Sequence, residues 1–307
     1  MKTQTSATLA WGGVLLAGVL WGVGALVAQS VMAHGMQPYS LSLARFALGL
    51  PLLWWWHWRQ VGSSQTTGKT PSEWRHLPWR ERALIVGTGL AMAMNVTSWF
   101  AGITYIGAAL PTVISICCAP VIVALLSVLR GYERASARLA AALALALGGV
   151  GLIVMPTEAL SLPQDYVAGL AWSFASAGLY SLVVLGNARM PVHVPAVTAS
   201  AWSMSVAALL MLALAATQGV TWPQDSTAWL QVGYTGVFTT SIAYLAFAWG
   251  ARRLSPTATV VGTLVEPLVA AVAAAWLFAQ PLTGRQCIGA LLLGVAMLSL
   301  ARRSVRD

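Results

Sequence analysis

The sequence is short of charged residues, and above all of acids. Only 8% of its 307 residues are charged and 58% are hydrophobic, whereas about a quarter of a soluble domain is charged. These values exclude a single soluble domain and predict an integral membrane protein. The net charge of +9 comes from basic residues in short segments between apolar runs, where they report membrane orientation. The charge therefore predicts no nucleic-acid partner.

Cysteine and histidine are scarce as well. Two of the three cysteines, Cys117 and Cys118, are adjacent in an apolar run, a spacing that suits neither a metal site nor a disulfide framework. The four histidines fall in loops or at helix ends, and the chain has neither a His-Glu-x-x-His motif nor a phosphate-binding loop. These absences predict no cofactor and no metal, and they argue against an intramembrane enzyme and against transport driven by ATP hydrolysis.

Long apolar runs are abundant instead. A membrane-spanning helix needs about 20 mostly apolar residues, and ten runs meet this length. They lie near 8–32, 38–56, 82–105, 108–129, 137–155, 166–186, 195–216, 228–249, 255–279 and 283–301. The longest polar stretch, 59–80, is rich in Ser, Thr, Gln and Gly and predicts a loop. The sequence therefore predicts an all-α membrane protein with ten transmembrane helices.

Basic residues orient these helices. If the N-terminus is cytoplasmic, fifteen of the seventeen Lys and Arg residues fall on the cytoplasmic side, and Arg285 is the one basic residue in the outside loops. The positive-inside rule then favours cytoplasmic N- and C-termini, with an even number of helices. The expected location is the inner membrane of a bacterial cell.

A weak internal repeat divides the chain. Placing Pro120 over Pro267, an offset of 147 (267 minus 120), aligns seven identities without a gap over 100–138. They are Phe100/Phe247, Ala101/Ala248, Thr112/Thr259, Val113/Val260, Pro120/Pro267, Ala124/Ala271 and Arg138/Arg285, and Ser136 falls on Thr283. Five helices per half would turn the second half upside down in the membrane, so the sequence predicts two inverted repeats, 1–156 and 157–307. Inverted repeats are typical of alternating-access carriers, although a repeat without a transport role stays an alternative.

Several segments resemble the EamA-type branch of the drug/metabolite transporter superfamily. Val19-Leu-Trp-Gly22 and Leu43-Ala-Arg-Phe46 are similar to that family's opening helix pair, and Gly131-Tyr-Glu-Arg-Ala-Ser136 to its glycine-glutamate-arginine turn. The best match runs from Ala243-Tyr-Leu through Arg252-Arg-Leu-Ser-Pro256 and Val265-Glu-Pro267 to Gln280-Pro-Leu-Thr283. The resemblance implies ten helices in two inverted repeats, and export or exchange of small metabolites such as amino acids, their derivatives and drug-like amphiphiles.

Two positions depart from the family pattern. The first repeat has Ala119-Pro120 where the family often has glutamate-proline, and Gln280 replaces the usual acid before the Pro-Leu-Thr turn. The first departure argues against a symmetric mechanism with two carboxylates.

Glu266 is the one acid deep inside an apolar run, about eleven residues from either end of its predicted helix. A carboxylate at that depth costs several kcal/mol unless it is protonated, paired or facing a wet cavity. Glu266 is therefore a candidate for proton coupling or for the counter-charge of a substrate amine, and the alternative is a structural tie between helices. Pro267 and Pro120 are candidate helix breaks or hinges, because each leaves a carbonyl without its helical hydrogen bond.

Polar and aromatic residues in other spans are candidates for substrate binding. Arg45 could reach a substrate carboxylate or Glu266, or extend outward to the headgroups. Trp21 lies near mid-depth, where its indole N–H needs a partner or water. The predicted substrate-binding residues are Trp21, Arg45, Asn95, Trp99, Tyr180 and Tyr244, with Gln29, Ser98, Ser173, Ser176 and Thr240 as weaker candidates. The Gly18/Gly22 pair predicts close helix packing rather than binding.

These features favour a secondary transporter. Its expected partners are a small-molecule substrate and membrane lipid. Transport coupled to protons through Glu266 and passive uniport with a structural Glu266 both fit the sequence. A scaffold without transport activity is the remaining class, and the oligomeric state is open.

Overall fold

The protein folds as a bundle of helices. The computed structural model describes residues 2–65, 74–106, 109–154, 165–277 and 283–304, and no strand occurs among them. Its ten long helical segments are α1 (Lys2–Ala33), α2 (Pro38–Gln65), α3 (Trp79–Ile106), α4 (Ala109–Leu129), α5 (Ala137–Val154), α6 (Tyr166–Ala188), α7 (Ala196–Gln218), a composite of α8 (Ser226–Tyr234), a π-helix (Thr235–Ile242) and α9 (Ala243–Ala251), a composite of α10 (Pro256–Thr263) and α11 (Val265–Leu277), and α12 (Gly284–Ser304). A single 3₁₀ turn, Trp74–His76, precedes α3.

The all-helical prediction is confirmed for these residues, and each predicted span overlaps one helical segment. The loop prediction for 59–80 is wrong at its start, because α2 continues to Gln65. Four segments are long and apolar enough by themselves to cross a membrane: Ala7–Ala33, Trp79–Ile106, Tyr166–Ala188 and Ala196–Gln218. In other helices the apolar stretch whose side chains the structure describes is shorter, for example Cys118–Leu129 within α4 and Ala137–Ile153 within α5. Gln280 and residues 66–73 of the predicted polar loop lie outside the described residues.

Contacts between loops define the two ends of the bundle. At one end, Arg252 donates to the Val194 carbonyl, the Thr257 N–H donates to Glu133 at 2.9 Å, and His193 pairs with Glu81 at 2.9 Å. The connections after α2, α4, α6 and α9 therefore meet at this end, which we call the arginine-rich end. At the opposite end, the Gln37 N–H donates to Thr221 at 2.8 Å, which joins the α1–α2 turn to the segment after α7.

Side-chain caps fix where several helices begin. The Ser136 hydroxyl accepts from the Leu139 N–H before α5, and the Ser255 hydroxyl accepts from the Ala258 N–H before α10. Before α12, Thr283 and Gln286 form a reciprocal pair in which each side chain accepts from the other residue's N–H. Such caps satisfy N–H groups that have no partner inside the helix.

Glycines allow the closest helix crossings. A Cβ on Gly22 of α1 would lie 2.6 Å from the carbonyl oxygen of Glu266, and a Cβ on Gly18 would lie 3.2 Å from that of Thr263. The predicted close packing at Gly18 and Gly22 is confirmed, and their partner is the junction of α10 and α11. Gly149 of α5 and Gly289 of α12 form a second crossing, since a Cβ on Gly149 would lie 2.6 Å from the Gly289 oxygen.

The two proline positions differ. α10 ends at Thr263 and α11 begins at Val265, so the helix is interrupted at Leu264, two residues before Glu266 and three before Pro267. By contrast, α4 runs through Pro120 without an interruption, which corrects the expectation of a broken helix at that position. A proline removes one helical hydrogen bond, and neighbouring helices in a bundle can compensate for this loss. α6 packs closely here, since the Ser181 hydroxyl, which donates to the Ala177 carbonyl of its own helix at 2.8 Å, lies 3.4 Å from the Ala119 carbonyl oxygen.

Candidate functional site

A cavity of about 130 Å³ lies inside the bundle. All seven polar and aromatic residues predicted as the binding and coupling site line its wall: Trp21, Arg45, Asn95, Trp99, Tyr180, Tyr244 and Glu266. Its volume is close to that of engineered cavities of about 150 Å³ that bind benzene. The cavity can therefore hold a small organic molecule.

Arg45 enters this wall from α2 and is 9% exposed. Its Nε donates to the Thr240 hydroxyl at 3.0 Å and its Nη2 to the Thr239 hydroxyl at 3.0 Å. Both hydroxyls donate in turn to the Thr235 carbonyl, so their oxygen lone pairs are left to accept from the guanidinium. The side chain therefore points into the bundle rather than outward to the headgroups.

The π-helix places two successive threonines against Arg45. Its wider turn presents Thr239 and Thr240 to the same guanidinium, an arrangement that a regular α-helix, with about 100° between successive residues, does not favour. Gly49 and Gly236 let the two helices approach, because a Cβ on Gly49 would lie 2.7 Å from the Gly236 oxygen. The Ser241 hydroxyl also donates to the Gly49 carbonyl at 2.6 Å. Arg45 is thus held in place by backbone packing as well as by hydrogen bonds.

Glu266 lies in the first turn of α11, directly after the interruption at Leu264. The N-terminus of a helix carries a partial positive charge that stabilises a carboxylate there. Within the part of the chain that the structure describes, Glu266 and Arg45 both line the cavity but form no salt bridge with each other. The cavity therefore holds an acid and a base that do not neutralise each other by direct contact.

Aromatic rings form the apolar part of the wall. The rings of Trp21 and Tyr244 lie 4.9 Å apart and those of Trp21 and Phe247 lie 5.4 Å apart, both tilted. Their polar atoms are satisfied: the Trp21 indole N–H donates to the Thr239 carbonyl at 2.9 Å, and the Tyr180 hydroxyl donates to Thr263 at 3.0 Å. These bonds fix the ring faces, so the wall is preorganised for an apolar group.

A chain of small polar residues continues the wall on α3, α4 and α6. The Ser115 hydroxyl donates to that of Ser176 at 3.2 Å, and Ser176 donates to the Asn95 carbonyl oxygen at 2.9 Å. This orientation commits the oxygen of the Asn95 side chain to Ser176. The wall is therefore polar on this side and aromatic around Trp21.

Some residues of the cavity wall were not predicted from the sequence, and some of the weaker candidates lie outside the cavity. Thr239, Thr263 and Ser115 line the cavity without having been predicted. Ser176 lines it as well, and Thr240 holds Arg45. Gln29 is exposed, and Ser173 donates to the Gly169 carbonyl of its own helix at 2.7 Å. The available signal was the pair Thr239-Thr240, four residues before Tyr244, but no sequence pattern predicted a π-helix.

The sequence matches the model of the EamA-like transporter family twice, over residues 9–155 and 167–302. The chain belongs to this family. It is a multi-pass membrane transporter of the drug/metabolite type.

Two known proteins are similar over nearly the whole length. An uncharacterized transporter of Bacillus subtilis (strain 168), YwfM, is 25% identical over 294 residues, which is 94% of this chain and 93% of that protein. A solved crystal structure of a protein that is 20% identical superposes with a TM-score of 0.76, covering 97% of this chain and 98% of the other. This second likeness supports the fold alone.

In an EamA-like transporter, a central cavity is the natural place for cargo, because ligand sites are concave, mostly apolar and carry few polar groups. Among the described residues, no group of three or more His, Cys, Asp or Glu side chains is placed to hold a metal ion. Recognition at this wall would therefore use Arg45, Glu266, hydroxyl groups and aromatic faces.

Proposed function

We propose that this protein is a secondary transporter that exports or exchanges small metabolites by alternating access, with Glu266 as the proton-coupling or amine-binding group. The observation that carries the proposal is the pair of opposite charges, Arg45 and Glu266, on the wall of one central cavity without a salt bridge between them. Unpaired charges inside a membrane are costly and are candidates for function by default.

The charge pair suits a substrate that has both an anionic and a cationic group. Arg45 keeps Nη1 free of hydrogen bonds within the described residues, while Nε and Nη2 are held by the two threonines. A substrate carboxylate can accept from this nitrogen, and an ammonium can pair with Glu266. Amino acids and their derivatives, with a side chain against Trp21 and Tyr244, meet these requirements.

Two inverted repeats, 1–156 and 157–307, would supply the alternating access. The helical segments support this division, because α3 and α8, α4 and α10, and α5 and α12 begin 147 residues apart at Trp79/Ser226, Ala109/Pro256 and Ala137/Gly284. Packing also repeats, since α6 contacts α3 and α4 while α1 contacts α9, α10 and α11. The caps Ser136 and Thr283 have the same offset.

The position of the arginine-rich end suggests how the protein is oriented in the membrane. We place this end and both termini in the cytoplasm and the protein in the bacterial inner membrane, because short loops rich in Arg remain on the cytoplasmic side. Export moves substrate away from this end. Tyr39 and Gln218 at the opposite end, which are joined by a 3.2 Å hydrogen bond, would separate when the cavity opens there.

A passive uniporter is the second candidate. The position of Glu266 in the first turn of α11 favours it, since a carboxylate can cap a helix start without exchanging protons. Both candidates use the same cavity and differ in whether a proton moves with the substrate.

The experiment that separates them is counterflow in proteoliposomes loaded with a panel of amino acids and organic cations, while a dye reports internal pH. In the coupled transporter, Glu266→Gln abolishes substrate-dependent proton movement and leaves exchange measurable. In the uniporter, neither protein moves protons, and the variant keeps its transport.

Glu81→Gln is the matched control. It is also an acid-to-amide change, but Glu81 pairs with His193 at the arginine-rich end and not in the cavity. A loss of proton movement in Glu81→Gln equal to that in Glu266→Gln would contradict the assignment of coupling to Glu266. A wild-type protein that shows no counterflow with any substrate of the panel would contradict the proposed substrate class.

A further inference from the structure

A second cavity, a groove of about 710 Å³, lies between α1, α2, α7 and α9 at the arginine-rich end. One side of it is a partly exposed stripe on the π-helix and α9, made of Ile242, Leu245, Ala246 and Trp249. The spacing of three and four residues puts these side chains on one helix face. Arg252 and Arg253 follow directly after the stripe, so the groove is apolar along the helix and cationic where the helix ends.

The charge of Arg252 is not compensated by the protein. Its guanidinium donates to the Val194 carbonyl, but Nε and Nη2 are buried without a hydrogen-bond partner in the described part of the chain. Burial and the neighbouring Arg253 lower the pKa of Arg252 to about 10, so the side chain stays protonated at neutral pH. No salt bridge to Arg252 or Arg253 occurs within the described ranges. Two adjacent positive charges therefore act on whatever occupies the groove.

Arg253 is the group that an occupant can reach. Its side chain is exposed, and its guanidinium lies over the Trp249 ring at 3.9 Å, with Nη1 donating to the Trp249 carbonyl at 2.7 Å. This stacking holds the cation at the mouth of the groove and leaves its other N–H groups without a partner among the described residues. Arginine in this state binds phosphate oxygens well.

We propose that this groove is a binding site for an anionic phospholipid, with the phosphate at Arg253, within the field of Arg252, and an acyl chain along the stripe of α9. The two properties of the groove together select this occupant. A soluble anion does not need the apolar stripe, and a lipid without an anionic headgroup does not use the two arginine charges. Basic pockets between membrane helices are typical sites for such headgroups. The site does not depend on the cargo of the central cavity.

The test is native mass spectrometry of the detergent-purified full chain, titrated with palmitoyl-oleoyl phosphatidylglycerol or with the matching phosphatidylcholine. We expect wild type to retain phosphatidylglycerol preferentially. Each arginine near an anionic lipid contributes roughly a fivefold factor in affinity. Arg253→Gln should therefore weaken phosphatidylglycerol binding about fivefold, and the double change Arg252→Gln with Arg253→Gln about 30-fold.

Three controls separate the elements of the site. Arg134→Gln removes a charge from an exposed residue at the same end of the bundle but outside the groove, and should leave binding unchanged. Ala246→Phe fills the groove while keeping both arginines, and should weaken lipid binding. Inorganic phosphate should not displace the lipid at equal concentration.

The proposal is overturned if wild type binds the two lipids equally, or if the double variant binds phosphatidylglycerol as wild type does. An Arg134→Gln loss equal to that of Arg253→Gln would mean that overall charge alone attracts the lipid. Displacement by inorganic phosphate would mean that the groove is a site for free anions. Arg253→Gln changes an exposed side chain, so it remains informative should the double variant fail to fold.

Discussion

α4 and the composite of α10 and α11 carry a proline 147 residues apart, yet they are built differently. α4 continues through Pro120, whereas the second helix is interrupted at Leu264, two residues before Glu266. The residue before the proline is Ala119 in the first case and Glu266 in the second, and both line the central cavity. The proline alone therefore does not break a helix in this bundle.

The neighbours of the two helices account for the difference. α1 packs against the interruption through Gly22, and Tyr180 of α6 donates to the Thr263 hydroxyl at 3.0 Å. At Pro120 the nearest contact from α6 is the Ser181 hydroxyl, which lies 3.4 Å from the Ala119 carbonyl oxygen while it donates to Ala177 at 2.8 Å. A helix start inside the bundle then gives Glu266 a favourable electrostatic environment that position 119 does not have. The cavity wall therefore carries one carboxylate, at Glu266, and the site is asymmetric.

Placing a second carboxylate at the uninterrupted position should have the largest effect. Ala119 is 1% exposed, and Ala119→Glu puts an acid into a cavity that already holds one, without a helix start to stabilise it. We expect a loss in the free energy of unfolding of about 2.5–3.5 kcal/mol, together with loss of transport. Thermal unfolding in detergent and counterflow in vesicles measure the two effects.

Ala119→Gln is the control, because it adds the same volume without the charge. If Gln and Glu at position 119 destabilise the protein equally, the cost is one of volume, and the electrostatic difference between the two helices is not supported.

The next largest effect should come from Arg45→Lys. Lysine keeps the charge but cannot hold two threonine hydroxyls and a carboxylate in the planar geometry of a guanidinium. Hydrogen bonds to charged groups contribute about 1.5–3 kcal/mol, so affinity for amino acids should fall roughly 10- to 100-fold. The measurement compares, in wild type and variant, the affinity for each neutral amino acid with the affinity for the corresponding amine that lacks the carboxylate. An equal loss for the amines would show that Arg45 does not recognise a carboxylate.

Removing one acceptor of Arg45 should have a smaller effect. Thr240→Val keeps the shape of the side chain but leaves the Arg45 Nε without its partner, which should lower the free energy of unfolding by about 1–3 kcal/mol. Thr257→Val is matched to it, because the Thr257 hydroxyl is buried without a partner among the described residues. That variant should be as stable as wild type or more stable. Equal destabilisation of the two variants would contradict the role given to Thr240.

The helices and most polar residues of the cavity wall could be predicted from the sequence, for two physical reasons. Apolar runs of membrane length are a strong signal, because every backbone polar group must be satisfied inside the segment. Glu266 and Arg45 were found because charges inside such runs are rare, and Trp21 because its N–H needed an acceptor, which is the Thr239 carbonyl.

The remaining features depend on contacts between distant segments. The π-helix that carries Thr239 packs against α2 at Gly49 and Gly236, which are 187 positions apart (236 minus 49). The uninterrupted α4 likewise depends on its neighbours, and a proline has the same local chemistry at both positions. Local patterns predict which residues are costly in a membrane, but not how other helices offset that cost.

The smallest effect tests the packing that supports the interruption. Gly22→Ala would place a Cβ 2.6 Å from the backbone carbonyl oxygen of Glu266, so α1 must move away from the start of α11. We expect a loss of about 1–2 kcal/mol in the free energy of unfolding, as is usual for overpacking, measured as a lower midpoint of thermal unfolding. Gly12→Ala on the same helix has no atom within 4 Å of the added Cβ and should gain a few tenths of a kcal/mol through the unfolded state. If both substitutions stabilise the protein, α1 does not hold the interrupted helix in place, and the asymmetry between α4 and the α10–α11 composite must arise from α6 instead.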